Sequence, residues 1–490
     1  MEKQGVRQGG ILSAEQYKAY INPLMERIQR YNLGYHIGSL DVSTPYCADD
    51  GTLVSNSIMN TQTMINFCHK DATRERYVFS QPKTKIQVHN TKVTNSMWNS
   101  ADLWCMNGDH IEVVEAHTHV GINRETCHQN NSHIIDERIQ LARRSMYAMM
   151  GLGMHGLNGL NPTVTPHLWN VYCCPRMIYS LEALILTKQQ INKLELFQRK
   201  VLKRIQHLPT STATCSIYLL LGCLPIEGTL DKNYLSFFGN IIRHDSVEKN
   251  IIRRQLAVKD QSTHSWTRNI KEILNKYDLP SAYTLLHDPP SKHRWKKMIT
   301  NAVNTYWLNT LQTEVQTKSS LRYLNCFNCS IGKPHIIYSS LGTSPQDVKR
   351  AAVKAQLITG TYRLASVSKH HSSKCPSSPL CPLCGAADET IQHFLQECIV
   401  IQTRCDQHTQ DYFDDVASLL GEECLYRLQK EYLITQLIID CTHPSLNIQH
   451  LSQIDLEQLE FLSRKLCFSY HIVRTQSLQD LRTQKRTIQH

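Results

Sequence analysis

The chain contains no run of about 18 apolar residues, the length a membrane-crossing helix needs, so a bilayer span is not expected. It has no low-complexity tract and no internal repeat, which argues against a repeat architecture or a compositionally disordered scaffold. Charge is modest: 19% of residues are Asp, Glu, Lys or Arg against 41% hydrophobic, the balance of a folded globular protein. Acid is the scarcer sign, 42 residues against 53 basic ones, and the net charge of +11 suits an anionic partner such as nucleic acid. No apolar signal-peptide core follows Met1, where the sequence is charged and glycine-rich. The eighteen cysteines are scattered rather than framed as in small secreted domains, so reduced thiols and an intracellular place, nucleus or cytoplasm, are expected.

What is present begins with residues 44–54, Thr-Pro-Tyr-Cys-Ala-Asp-Asp-Gly-Thr-Leu-Val. Asp49 and Asp50 are adjacent carboxylates at a turn that Gly51 helps to reverse, with β-formers on both sides. Carboxylates at a hairpin tip can hold a hard cation such as Mg²⁺ (or Mn²⁺) with few protein ligands, leaving room for phosphate. Alone, Asp-Asp-Gly is an ordinary surface turn; its neighbours give it more weight. Residues 5–13 read Gly-Val-Arg-Gln-Gly-Gly-Ile-Leu-Ser, and the glycines around Arg7 and Gln8, including Gly9, leave backbone open to close approach. A helix over 14–32 follows, with Tyr17, Tyr20, Ile21, Leu24 and Ile28 on one face and a kink or break at Pro23. Leu33–Val42 reads as a strand and 57–71 as a second helix, with Ile58, Thr61, Ile65 and Cys68 on one side. A strand pair, Tyr77–Ser80 with Thr84–His89, carries Lys83 and Lys85. His117 and His119 fall two apart on a strand and face one side.

From about Asp136 the pattern is mainly helical. Arg138–Met150 is one helix with Arg143 and Arg144 outward. Leu181–His207 is a long one, striped by Leu194, Phe197, Val201 and Ile205 and closed by Pro209. Lys193, Arg199, Lys200, Lys203 and Arg204 load its other faces; a solvated face and a surface for phosphates both fit that pattern. Cys326 and Cys329 have ligand spacing without a second pair, and read as two buried thiols. A helix over 345–365 buries Val348, Ala351, Ala352, Ala355 and Leu357. Then comes Cys381-x2-Cys384-x8-His393-x4-Cys398, three sulfurs and one imidazole. Its first pair lies on a tight Cys-Pro-Leu-Cys-Gly turn, and Asp388 is placed to cap a short helix carrying the second pair. A tetrahedral Cys₃His set leaves no position for water, so a Zn²⁺ there is structural. Cys375 is read as a free thiol nearby, and 400–490 as amphipathic helices ending in the basic Arg482–Arg486.

The order Gly5–Ser13, kinked helix, Ala48-Asp49-Asp50, Lys83-Thr84-Lys85 resembles the palm of a non-LTR retrotransposon reverse transcriptase. The first stretch resembles that family's glycine–glutamine motif, and Cys-Ala-Asp-Asp resembles its Tyr-Ala-Asp-Asp box. Val113–Gly121 resembles the strand that grips the primer, Leu181–Pro209 the long helix after the palm, and 346–398 the C-terminal zinc segment. The resemblance implies an α+β chain of about 490 residues in several units: a partial palm over 1–125, thumb-like helices over 126–225, a helical connector over 226–365, a zinc knuckle over 366–400 and a helical tail over 401–490. It implies nucleotidyl transfer with two metal ions, RNA template, DNA primer and dNTP as partners, Asp49 and Asp50 as metal ligands, Arg7, Gln8 and Gly9 at template and nucleotide, and Lys83 or Lys85 on the phosphate side.

Two departures qualify it. Cys47 stands where the family has Tyr, with Tyr46 one place early. The family's first metal-binding aspartate lies several dozen residues before the glycine–glutamine motif, and here that motif begins at Gly5. Asp41 is a nearby carboxylate but precedes the turn by only eight residues, on the same hairpin. Two functions are therefore expected: an RNA-directed DNA polymerase segment that does not act alone, or a retrotransposon-derived module that holds nucleic acid without polymerising it.

Overall fold

The computed structural model describes residues 10–47, 50–89, 103–126, 132–155, 159–258, 265–368, 378–448 and 450–489. Among them the chain is mostly helical with a few small two-stranded sheets, an α+β composition. Helices of 14 residues or more are α1 (Ser13–Arg30), α2 (Ile58–Glu75), α3 (Ser132–Ala148), α4 (Lys188–Ile205), α5 (Ile226–Arg243), α6 (Lys292–Gln316), α7 (Pro345–Ile358), α8 (Asp406–Leu420) and α9 (Gln453–Gln489).

The first two helices bury their apolar stripes against each other, Ile21, Leu24, Met25 and Ile28 meeting Met64 and Cys68. Asp71 is buried within this pair, where its carboxylate accepts from Arg27 at 2.9 Å and Arg74 at 2.6 Å. Pro23 neither splits nor ends α1. It lies on the exposed side, so the Ala19 carbonyl that loses its donor can turn to water. Ser57 caps α2 by accepting from the Asn60 amide.

Four hairpins accompany these helices: β1 (His36–Ile37) with β2 (Leu40–Asp41), β3 (Tyr46–Cys47) with β4 (Asp50–Gly51), β5 (Cys105–Met106) with β6 (Asp109–His110), and β7 (Ala116–His119) with β8 (Ile122–Glu125). The expected strand Leu33–Val42 is instead the first hairpin. Gly38, at φ +64°, takes the left-handed conformation that reverses the chain there. The expected pair Tyr77–Ser80 with Thr84–His89 does not form. Pro82 starts a 3₁₀ turn over Gln81–Lys83, Tyr77 and Phe79 turn inward onto the α1–α2 cluster, and Ile86 makes a single parallel bridge to Val113. The expected strand Val113–Gly121 is likewise shorter. Val120 and Gly121, both with positive φ, form a type I′-like turn between β7 and β8, and Asn107-Gly108 does the same between β5 and β6.

From Ile134 to Tyr470 one continuous core runs through the helices. The helix expected over Leu181–His207 is in two parts, because Ser180 sits at φ +65° and leads into a short 3₁₀ turn. α4 proper starts at Lys188 behind a capping box, in which Thr187 accepts from the Gln190 amide and the Gln190 side chain accepts from the Thr187 amide. The helix expected over 345–365 stops at Thr359, and Gly360 turns at φ +64° where a side chain would strike the Ser320 carbonyl. Its apolar residues Val348, Ala351, Ala352, Ala355 and Leu357 are buried as the pattern required.

α7 packs along α9, and the contact includes an ion pair out of water: Lys354 Nζ lies 2.7 Å from Glu460 Oε2, with side chains 0% and 1% exposed. Removing one partner strands the other's charge in the interior. Lys354→Met should therefore lower unfolding free energy by about 3–5 kcal/mol. Lys354→Met with Glu460→Leu should recover much of that loss in urea denaturation; equal losses for the single and double variants would show that the pair is not the source.

Candidate metal centre and carboxylate hairpin

The ligand atoms of Cys381, Cys384, His393 and Cys398 all lie within 4.8 Å of one another, so these four residues could hold a zinc ion. Cys381 Sγ and Cys398 Sγ are 3.8 Å apart, and Cys384 Sγ is 3.3 Å from His393 Nε2. A tetrahedral site with Zn–S near 2.3 Å and Zn–N near 2.0–2.1 Å has S···S and S···N edges of about 3.8 and 3.6 Å. The observed spacings fit those edges. Local structure explains them. The Gly385 amide donates to the Cys381 carbonyl at 2.9 Å, which closes the knuckle, and Gly385 turns at φ +66°. The Cys381 amide donates to the Ala387 carbonyl at 2.8 Å.

The expected cap, Asp388, instead bridges back to Leu380, and Thr390 accepts from the His393 amide at 3.1 Å. A wide π-turn over His393–Glu397 then brings Cys398 round, its amide donating to the His393 carbonyl at 2.9 Å. Cys381, His393 and Cys398 are buried, and Cys384 is half-buried. Burial pushes the Cys384 thiol up, but the backbone amides of Ala386 and Ala387 and the adjoining thiols outweigh it and hold it below the ordinary thiol range. His393 Nδ1 faces Glu397 Oε2 at 3.6 Å, the outward orientation of an imidazole whose other nitrogen is a ligand. Cys375 lies outside the described residues.

Every cysteine among the described residues is a free thiol. Cys326 and Cys329 are buried as expected, and burial raises both. The four-residue cluster is the sole group of three or more potential metal ligands among the described residues.

At the second candidate site, Cys47 pairs with Asp50 across β3–β4, and Asp50 is exposed. Asp49, with Arg7, Gln8 and Gly9, lies outside the described residues. The hairpin is seated through Tyr46 and Leu53, which pack on the α1–α2 cluster. The Tyr46 ring crosses Gly51 so closely that no side chain would fit there, and burial raises its hydroxyl well above the ordinary phenol value. Cys47 is the exposed neighbour. Asp41 is drawn to its own turn, accepting from the Ser43 amide at 2.8 Å and facing His36 at 3.9 Å.

A contact that the sequence did not suggest comes from β7. Thr52 Oγ1 lies 3.4 Å from His119 Nε2, and Thr52 shares the face of Asp50, two residues before it. His117 and His119 do face one side. The hairpin that carries them is held by α3 and its neighbour. Arg138, buried, donates to the Gly121 carbonyl at 2.6 Å and lies 5.0 Å over the Tyr179 ring, while the Tyr179 hydroxyl donates to Val120 at 3.2 Å.

The cations expected at phosphates divide. Lys83 is exposed, but Lys85 pairs with Glu112 at 2.6 Å. On α4, Lys193 pairs with Asp136 at 2.5 Å, Arg199 lies 3.5 Å from Glu195, and Lys203 donates to the Thr210 carbonyl at 2.5 Å. Lys200 and Arg204 are exposed with no ion pair among the described residues. Arg143 and Arg144 of α3 are exposed as expected, and Arg143 lies 5.7 Å over Phe197 of α4, which brings α3 against α4.

Compared with known protein families and with curated proteins, the sequence matches none. No helix among the described residues is long and apolar enough to cross a membrane.

Elemental analysis of the purified chain should find about one zinc per molecule, and Cys384→Ser should lose most of it. Because the thiols must shed protons to bind, metal should be released as pH falls. Full stoichiometry in Cys384→Ser would reject this ligand set.

Proposed function

We propose that the chain is part of a reverse transcriptase of the non-LTR retrotransposon type. It holds primer–template on the exposed cations of α3 and α4, presents the Asp49–Asp50 turn to nucleotide and Mg²⁺, and uses zinc in the Cys₃His centre as a structural pin. The observation that carries this reading is the seat of the Asp50 hairpin: it rests on the two helices that flank it in sequence and meets a second hairpin bearing His119, while its outer edge stays open. Such a turn can recruit a cation without enclosing it, as phosphate chemistry requires.

A specific observation favours a non-polymerising role for these 490 residues by themselves. Asp41, the nearest further carboxylate in sequence, is engaged in its own turn. Two cations about 3.5–4 Å apart need a bridging carboxylate to offset their repulsion. Without one the 3′-hydroxyl lacks its activating metal, and the loss of several kcal/mol in transition-state stabilisation removes orders of magnitude in rate.

Binding should survive, because its phosphate contacts come from Arg143, Arg144, Lys200 and Arg204, and it should weaken steeply with salt. In primer-extension assays with Mg²⁺ or Mn²⁺, the chain should bind a labelled primer–template yet extend it little. Robust extension that Asp49→Ala abolishes would show that a carboxylate within the chain completes the site, and failure to bind any primer–template would overturn the reading altogether.

A further inference from the structure

A concentration of exposed positive charge that neither site uses lies at the start of α6. Residues 292–297 read Lys-His-Arg-Trp-Lys-Lys. Lys292, His293, Arg294, Lys296 and Lys297 are all exposed, and none makes an ion pair among the described residues. The remaining residue, Trp295, is 2% exposed and fixes the turn in place: its indole N–H donates to the Leu235 carbonyl of α5 at 2.9 Å. It packs so closely over Gly239 that no side chain would fit there. Arg243, at the end of α5, reaches the same spot; one of its guanidinium nitrogens bonds Asn240 and the other is buried without a partner. The nearest acidic residue in sequence, Asp288, is exposed and pairs with none of these cations, nor does Asp245 beside Arg243.

We infer that this basic turn is a second nucleic-acid-binding surface that grips the phosphate backbone without reading sequence. The inference rests on the reading under Proposed function. Four permanent charges on six residues, held together by a buried tryptophan, make a concentrated positive field that a polyanion's phosphates can neutralise with release of counterions. Lys292 and Lys296 are one helical turn apart, as are His293 and Lys297, so the charges form two adjacent rows rather than a ring. A membrane surface is the poorer partner. A helix that binds in the lipid interface needs apolar residues beside its cations, and here the apolar positions Trp295, Ile299 and Val303 face the protein core. Contacts of such cations with phosphate carry no sequence information, so the grip proposed is electrostatic and sequence-independent.

The test uses the full chain and a fluorescein-labelled DNA duplex of arbitrary sequence, with anisotropy read across a series of KCl concentrations. Lys292→Gln, Lys296→Gln and Lys297→Gln combined should reduce the slope of log affinity against log salt by about two to three and weaken binding by about tenfold or more at low salt. Lys296→Arg with Lys297→Arg should keep the wild-type slope, which separates charge from folding. An unchanged slope and affinity in the triple Gln variant, with the wild type binding normally, would overturn this inference and leave the proposed function standing. No duplex binding by the wild type would overturn this inference, and no binding of a primer–template either would overturn both. Salt-sensitive binding of the wild type to phosphatidylserine vesicles, lost in the triple variant while duplex binding is kept, would overturn it in favour of a lipid surface.

Discussion

A carboxylate that folding takes out of water must be met by a charge that travels with it. Glu389 lies between the zinc-centre residues Cys384 and His393, and its side chain is 1% exposed. Arg474 of α9 answers it on both oxygens, at 2.7 and 2.9 Å, and the Ala365 amide adds a third bond at 2.6 Å. The same guanidinium donates to the Arg363 carbonyl at 2.8 Å and lies 5.5 Å over Tyr362, whose hydroxyl meets His471 at 2.8 Å. The knuckle turn gathers the Cys₃His residues, and Glu389 ties that segment to α9 beside the buried Phe394 and Leu395.

The rest of α9 is placed by the same means. Glu460 meets Lys354 in the interior, and Arg464, also buried, donates to the Ile337 carbonyl at 3.0 Å and to Ser340 Oγ at 2.8 Å. Asp440 accepts from the Asn325 amide at 2.8 Å and faces His335. Burial works to raise this carboxyl, but His335, Thr442 and the Asn325 amide together hold it below the ordinary range. Buried ion pairs add little net stability compared with apolar packing of equal size. Their effect here is positional: a slip of α9 by one residue along α7 would leave Glu460, Arg464 and Arg474 unpaired at once, so a long helix that packing alone would hold loosely has one register.

The Cys₃His cluster was legible in the sequence because coordination chemistry fixes residue type and spacing together, and the apolar faces of α1, α4 and α7 were legible because helical periodicity does the same. What escaped is decided by contacts distant in sequence. Lys354 and Arg138 look like surface cations until the carboxylate or carbonyl that buries them is known. Thr390, not Asp388, caps the turn at His393, because the backbone bridge of Asp388 to Leu380 keeps that residue extended and the helical turn starts only after Thr390. The break at Ser180 depends on a left-handed residue that is not glycine. The hairpin at Asn107-Gly108 is different: its turn dipeptide is a strong local signal that the reading by periodicity passed over.

The first 126 residues explain why the carboxylate turn needs its neighbours. Two strands paired with nothing else are marginal in water, and β3–β4 has only two residues on each side. Its rigidity is borrowed: from α1 and α2 through Tyr46 and Leu53, and from β7 through the contact of Thr52 with His119. Side chains alternate faces along a strand, so the one-place offset of the tyrosine has a definite consequence. With Tyr46 turned inward to lock the hairpin on the helices, the outward position beside Asp50 falls to Cys47. Tyr46 serves as the hairpin's anchor, and the open side of the turn carries the Cys47 thiol and the Asp50 carboxylate.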